Sequence, residues 1–78
     1  MRTNIRHRII ELYNKKDFAA LYAEVKKELQ EQPDDYELLF YYARALTEQN
    51  YIEEARKAWV NLASKYPNKY QGKEVWLF

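Results

Sequence analysis

The sequence has no cysteine and only one glycine, one histidine and one serine among its 78 residues. Without cysteine, the chain cannot form a disulfide framework or a thiolate metal site. The single glycine, Gly72, cannot build a phosphate-binding loop, which needs several glycines close together. The single histidine, His7, lies between two arginines, and a zinc site needs several ligands. We therefore expect no metal and no cofactor.

Candidate catalytic groups are also few. Ser64, the only serine, falls in a predicted helix and has no supporting triad motif. The acidic pairs Asp34–Asp35 and Glu53–Glu54 fall at predicted helix starts, where carboxylates complement the helix dipole. We interpret both pairs as structural and predict that the chain is not an enzyme and has no catalytic residue.

No segment is long and apolar enough to cross a membrane. The most apolar stretch, Leu38–Leu46, is interrupted by Arg44 and is much shorter than the roughly 20 residues that a spanning helix needs. The N-terminus has no apolar run behind its charges, so it does not read as a secretory signal. Together with the absence of cysteine, these features favour a cytoplasmic protein that does not contact membranes.

Charge is unevenly distributed along the chain, although its net value is only +1. Residues 1–16 carry five basic side chains and one acid, and residues 55–78 carry the same numbers. Residues 17–54 carry ten acids and three basic side chains. Such a pattern is usual for solvated helix faces, and it can also steer how a domain docks on a partner.

Apolar residues recur at helical spacing in five segments, and no period-two alternation indicates a strand. Asp17 and either Asp34 or Asp35 are suited to cap the second and third helices, and Asn50 suits a left-handed helix end. The third helix is apolar around nearly its whole circumference, which predicts a central position. The predicted helices span about 5–13, 18–30, 36–49, 52–66 and 71–78.

Two units of equal length follow one another, and they end at Pro33 and Pro67. The second unit resembles a tetratricopeptide repeat, which has a period of about 34 residues and small side chains where the two helices of a hairpin touch. Ala43 and Ala55 occupy those small positions. The matching residues are Leu39-x2-Tyr42-Ala43-x2-Leu46, then Ala55-x3-Trp59, then Pro67.

The first unit follows the same frame but is degenerate. Ile9 and Leu21 stand at its two small positions, and Arg8 stands where an apolar residue is expected. A partial third unit begins near Tyr70. The first unit reads Ile5-x2-Arg8-Ile9-x2-Leu12, then Leu21-x3-Val25, then Pro33.

The resemblance implies an all-α fold of two stacked antiparallel helical hairpins, forming a short right-handed solenoid with a C-terminal capping helix. The chain is then a single domain, with repeat one at about 2–35, repeat two at about 36–69 and a partial third helix at 70–78. The alternative is a generic helical bundle in which two helices are capped by aspartate after a proline.

For function, the resemblance implies a non-enzymatic module, an adaptor or assembly scaffold, that binds a partner protein or peptide. The binding groove is lined by the first and third helices, and aromatic and arginine side chains are the usual hot spots of interfaces. Alternatively, Phe40 and Tyr41 pack against the first helix. The candidate partner-binding residues are Arg6, Tyr13, Phe40, Tyr41 and Arg44.

Some tetratricopeptide proteins grip a carboxylate-ended chaperone tail with a clamp of Lys, Asn and Arg. Only one of the matching positions here, Arg6, carries a suitable side chain, so we do not expect that ligand. The matching positions are Arg6, Ile10, Tyr41, Gln71 and Val75.

A second class of function is nucleic-acid association, in which Tyr13 stacks a base beside a basic patch on the first helix. The sequence pI of about 7.9 argues against it, because strong nucleic-acid binders have values above roughly 9. A third possibility is a regulatory piece of a larger protein. The basic patch consists of Arg2, Arg6, Arg8, Lys15 and Lys16.

The sequence ends in four consecutive apolar residues, 75–78. One helical turn cannot bury all four against a single neighbour, and an exposed apolar patch of this kind usually marks an interface. We therefore expect Trp76 and Phe78 to support self-association, which would make the chain a homo-oligomer through its C-terminal helix.

Overall fold

Four α-helices account for most of the chain in the computed structural model, which describes residues 3–67. They agree with the first four predicted segments, and the second, third and fourth end one residue earlier than expected. No strand forms within the described residues. The predicted segment at 71–78 lies outside them. The helices are α1 (Thr3–Asn14), α2 (Phe18–Leu29), α3 (Tyr36–Glu48) and α4 (Ile52–Lys65).

The helices pack in chain order as two antiparallel hairpins, α1 with α2 and α3 with α4. The second hairpin stacks on the first because α3 also packs along α2. This confirms the all-α, hairpin-based fold class and the central position of α3. That helix is buried from both sides, as its apolar circumference requires. Its buried residues are Leu38, Leu39, Ala43, Ala45 and Leu46.

Aspartate side chains begin two of the helices. The Asp17 carboxylate accepts a hydrogen bond from the Ala20 N–H at 3.3 Å, and Asp35 accepts one from the Leu38 N–H at 3.1 Å. Asp35, not Asp34, therefore caps α3. Each bond satisfies a backbone donor that has no partner within the helix.

The two hairpins turn in the same way, at equivalent positions of the two units. Lys16 and Asn50 both have left-handed backbones, with φ angles of 61° and 64°. Each turn forms the pair of hydrogen bonds that defines a Schellman helix end. The donor and acceptor pairs are Lys16 N–H to Tyr13 O, Asp17 N–H to Leu12 O, Asn50 N–H to Thr47 O and Tyr51 N–H to Leu46 O, all within 3.0–3.1 Å.

Small residues set how closely the helices approach. Ala43 and Ala55 are fully buried between α3 and α4, whose backbones run close together. Ile9 and Leu21 are equally buried at the matching positions of the first hairpin, where close backbone contact is less extensive. Ala45, which the sequence pattern does not single out, is the small residue in the cluster shared by α1, α2 and α3.

The polar residue at an expected apolar position is accommodated at the surface. Arg8 is exposed, and its Nε lies 3.2 Å from an Oε atom of Glu24 on α2. The first hairpin therefore uses a surface ion pair where the second uses the aromatic ring of Tyr42. Exposed pairs of this kind contribute only about 0–1 kcal/mol.

Trp59 is the largest buried side chain, with 1% of its surface exposed. Its Nε1–H donates to the Thr47 hydroxyl at 2.8 Å, and that hydroxyl donates to the Ala43 carbonyl at 2.9 Å. The indole therefore fills the α3–α4 interface while its polar group stays hydrogen-bonded.

The C-terminal end of α4 is tied to the loop between α2 and α3. Lys65 forms an ion pair with the Asp34 carboxylate, and the Tyr66 hydroxyl donates to the Asp34 carbonyl. The ring of Tyr66 also meets that of Tyr36 edge to face, with centroids 5.3 Å apart.

Truncation of Trp59 tests the core. We expect Trp59→Ala to lower the free energy of unfolding by about 3–5 kcal/mol, because it empties the centre of the α3–α4 interface. Val60→Ala is the matched control, since Val60 is the next residue of α4 and 50% exposed; it should cost less than about 1 kcal/mol. Urea unfolding followed by circular dichroism measures both, and a loss for Trp59→Ala as small as that of the control would contradict the packing.

A second prediction concerns the left-handed turn at Lys16. A lysine at positive φ is strained, and glycine relieves that strain. Glycine also gives the unfolded chain more conformational entropy, which lowers stability. We expect the relief of strain to be larger, so Lys16→Gly should raise the free energy of unfolding by about 0.5–1 kcal/mol. Lys15→Gly, at the preceding position with negative φ, should instead destabilise the protein. If both variants lose stability equally, the turn is not strained.

Candidate binding surface

A groove runs between α1 and α3, which lie side by side and point the same way. Their Cα atoms stay more than 8 Å apart, and long side chains bridge the gap. Near the start of both helices, the Arg6 Nε lies 3.1 Å from an Oε atom of Glu37. Nearer their ends, the rings of Tyr13 and Tyr41 meet with centroids 5.5 Å apart. The two bridges define one surface that both helices share.

Five rings form a continuous row across this surface, here called the aromatic row. Neighbouring rings meet edge to face, the geometry that aromatic pairs favour. The row starts on α2, crosses α1 and α3 and ends in the core on α4. The successive pairs and centroid distances are Phe18–Tyr13 at 6.0 Å, Tyr13–Tyr41 at 5.5 Å, Tyr41–Phe40 at 5.5 Å and Phe40–Trp59 at 5.6 Å.

The structure brings all five candidate partner-binding residues onto α1 and α3. Tyr13, Tyr41 and Phe40 are half-buried members of the aromatic row. Tyr41 contacts α1 through Tyr13, as the packing alternative expected, while Phe40 contacts Trp59 of α4. Both keep part of their surface open to solvent, so their role in binding stays a prediction.

Arg44 has a buried polar atom that lacks a hydrogen-bond partner among the described residues. One Nη atom lies 3.3 Å from an Oε atom of Glu48, and the side chain is 28% exposed. Its Nε is buried and donates to no atom of the described chain. A buried donor left without an acceptor costs stability, more so when the group is charged.

A cleft of about 240 Å³ opens beside Arg44 at one end of the groove. Its remaining lining residues are Tyr13, Lys16, Phe18 and Glu48. The side chain of Gln49 fixes the nearby backbone, because its Nε2 donates to the carbonyls of Phe18 at 3.5 Å and Ala45 at 3.1 Å. The bond to Phe18 therefore links the start of α2 to the end of α3 beside the cleft.

Sequence reasoning missed the contribution of Lys16 and Phe18 to this site. The sequence pattern assigns Lys16 to a turn and to the basic patch, and Phe18 to the core stripe of α2. The Schellman turn brings both residues back beside the last turn of α1. The signal that could have located them is the equivalence of Lys16 and Asn50 in the two units, which marks both as turn positions.

The basic patch on α1 is largely paired with carboxylates. Arg6 pairs with Glu37, Arg8 with Glu24, and the Lys15 Nζ lies 2.9 Å from an Oε atom of Glu11. These pairs reduce the positive potential that a nucleic-acid phosphate would meet. Lys16 forms no ion pair within residues 3–67, and Arg2 lies outside them.

We also searched residues 3–67 for a metal site and for a membrane-spanning helix. No group of three or more His, Asp or Glu side chains there is arranged to hold a metal ion. No helix in that range has both the length and the apolar character to cross a membrane. The residues predicted to mediate self-association, Trp76 and Phe78, fall outside the described part.

Comparison with protein-family models, curated proteins and solved structures found no match for this chain.

The aromatic row gives a testable pH dependence. Burial raises the pKa of the Tyr41 hydroxyl, and the nearby Glu37 and Tyr13 raise it further, while Arg6 opposes them. Because folding raises the Tyr41 pKa, the neutral hydroxyl makes its full contribution to folding stability below the unfolded-state pKa of about 10. That contribution to folding stability is lost as the pH rises through the folded-state pKa.

We therefore expect the free energy of unfolding to fall above about pH 10, and to fall less steeply in Tyr41→Phe. Urea unfolding at several alkaline pH values measures this, with tyrosinate absorbance reporting ionisation. Tyr51→Phe is the control, because Tyr51 is 51% exposed and lies outside the row. Equal pH profiles for wild type and Tyr41→Phe would show that the hydroxyl is not held in its neutral form.

Proposed function

We propose that this chain is a tetratricopeptide-like interaction module, an adaptor or assembly scaffold without catalytic activity. It binds a peptide or helix of a partner protein along the groove between α1 and α3. The observation that carries the proposal is the half-exposed aromatic row, which crosses this groove and ends in the core at Trp59.

The chemistry of the surface supports protein recognition. Tyrosine, phenylalanine and arginine are over-represented at the centre of protein interfaces. Rings that are already packed against one another lose little conformational freedom on binding, so less of the contact free energy is cancelled. Arg6 and Arg44 flank the rings at the two ends of the groove, and each is paired with an acid of α3.

The repeated turn supports the family assignment. Lys16 and Asn50 adopt the same left-handed geometry, and their separation along the chain equals that between Phe18 and Ile52, where α2 and α4 begin. This interval matches the period of a tetratricopeptide repeat, about 34 residues. A generic helical bundle has no reason to repeat its turn at this interval.

Two further proposals accompany the module. It works in the cytoplasm, whose reducing conditions suit a chain without cysteine. It also forms a homo-oligomer through Trp76 and Phe78, two of the four apolar residues at 75–78. Nucleic-acid association is the alternative function, and the carboxylate partners of Arg6, Arg8 and Lys15 disfavour it.

A displayed random-peptide library selected on the wild-type protein tests peptide binding. We expect selected peptides to lose about tenfold or more in affinity on Tyr41→Ala, the size of a modest hot spot. Val60→Ala, on the exposed face of α4, is the control and should bind as wild type does. Fluorescence polarisation gives the affinities, after circular dichroism has shown that each variant is folded.

Three outcomes would count against the proposal. The first is a selection that yields no binder, and the second is a set of binders that Tyr41→Ala leaves unchanged. The third is tight binding of single-stranded RNA that weakens steeply with salt. The RNA result would favour the nucleic-acid alternative, because peptide binding led by aromatic rings depends only weakly on salt.

A further inference from the structure

We infer that the cleft at the end of the groove recognises an acidic side chain of the partner peptide, next to an apolar one. This inference rests on the proposed function and specifies its ligand. The cleft residues are Tyr13, Lys16, Phe18, Arg44 and Glu48. None of them stands at a clamp position of the tetratricopeptide proteins that bind carboxylate-ended chaperone tails.

The cleft has cationic donors that the fold leaves unused. Lys16 forms no ion pair within residues 3–67, whereas Arg6, Arg8 and Lys15 of the same region all do. Arg44 reaches Glu48 through one Nη atom, and its Nε has no acceptor among the described residues. An incoming carboxylate would give an acceptor to the Lys16 ammonium and to the Nη atoms of Arg44.

The charge balance of the cleft selects a carboxylate. Lys16 and Arg44 are positive and Glu48 is negative, so the lining has a surplus of one positive charge. A single carboxylate matches that surplus. A phosphate group carries close to two negative charges at neutral pH, and it would face Glu48 without a second free cation. A nucleic-acid backbone would also meet Glu37 and Glu48 along α3.

The geometry of Arg44 also suits a carboxylate. A guanidinium can bind both oxygens of a carboxylate through two parallel N–H groups, which gives short, strong bonds. In Arg44 the Nε is buried, so a carboxylate would bind across the two Nη atoms, whereas an ammonium offers only a point charge. Arg44→Lys therefore keeps the charge while removing the paired donors.

The rings of Tyr13 and Phe18 favour an apolar residue next to the acidic residue of the peptide. Tyr13 and Phe18 line the cleft beside the cations and hold each other edge to face at 6.0 Å. Their packing is fixed by the Schellman turn and by the Gln49 side chain. An aliphatic or aromatic side chain next to the acid can bury its surface against them.

The test uses two synthetic hexapeptide pools of random apolar residues that differ only in a central Glu or Gln. Nuclear magnetic resonance of the full chain follows the Arg44 Nε–H signal during each titration. We expect a saturable shift with the Glu pool, and binding of the Gln pool weaker by about fivefold or more.

Variants locate the effect. Lys16→Asn keeps a residue that tolerates the left-handed turn, as Asn50 does. This variant should bind the Glu pool about fivefold more weakly than wild type does. Arg44→Lys should weaken binding of the Glu pool by at least as much. Lys57→Asn makes the same charge change on α4, outside the cleft, and should leave binding of the Glu pool unchanged.

Several results would overturn the inference. Equal binding of the Glu and Gln pools, with both lost on Tyr41→Ala, refutes acid recognition and leaves peptide binding standing. If neither pool shifts the resonance signals of residues on α1 or α3, the result counts against acid recognition and against the proposed peptide binding. A third pool with a central phosphoserine that binds more tightly than the Glu pool would replace the carboxylate with a phosphate ligand. An equal loss in Lys57→Asn would show non-specific charge attraction.

Discussion

Burial of α3 on opposite sides is the constraint on which this structure depends. The helix carries apolar residues around most of its circumference, so it needs neighbours on two flanks, and α2 and α4 supply them. Since α1 packs against α2, its backbone stays farther from α3, and side chains bridge the gap between the two helices. The groove between α1 and α3 is therefore a consequence of how the core is covered, and the surface proposed for binding arises from the same constraint.

The aromatic row joins that surface to the core. Tyr41 lies on the open side, and Trp59 lies in the α3–α4 interface with its indole hydrogen-bonded to Thr47. Phe40 touches both rings. A side chain that contacts Tyr41 would therefore meet a ring with little freedom to move, because each ring packs against the next. Such pre-organisation limits the conformational entropy that binding removes.

Local rules were sufficient to predict much of the fold. The helix bounds, the cap at Asp17 and the left-handed end at Asn50 follow from short-range preferences that tertiary packing did not override. Lys16 was missed as a left-handed residue because lysine has no preference for positive φ; the turn of the first hairpin imposes it. The Arg6–Glu37 and Arg8–Glu24 ion pairs and the cleft depend on how the helices stack, and the sequence alone does not specify side-chain positions across that distance.

The turn at Lys16 places two demands on one residue. The backbone there would be relaxed with glycine or asparagine, as at Asn50. The cleft beside it is instead lined by a lysine. At position 16 the backbone favours glycine or asparagine, whereas the side chain supplies a positive charge. Such a conflict is expected where a fold gives up some stability for a functional group. Engineering this protein for heat resistance through Lys16→Gly would remove a cation that lines the cleft and forms no ion pair within residues 3–67.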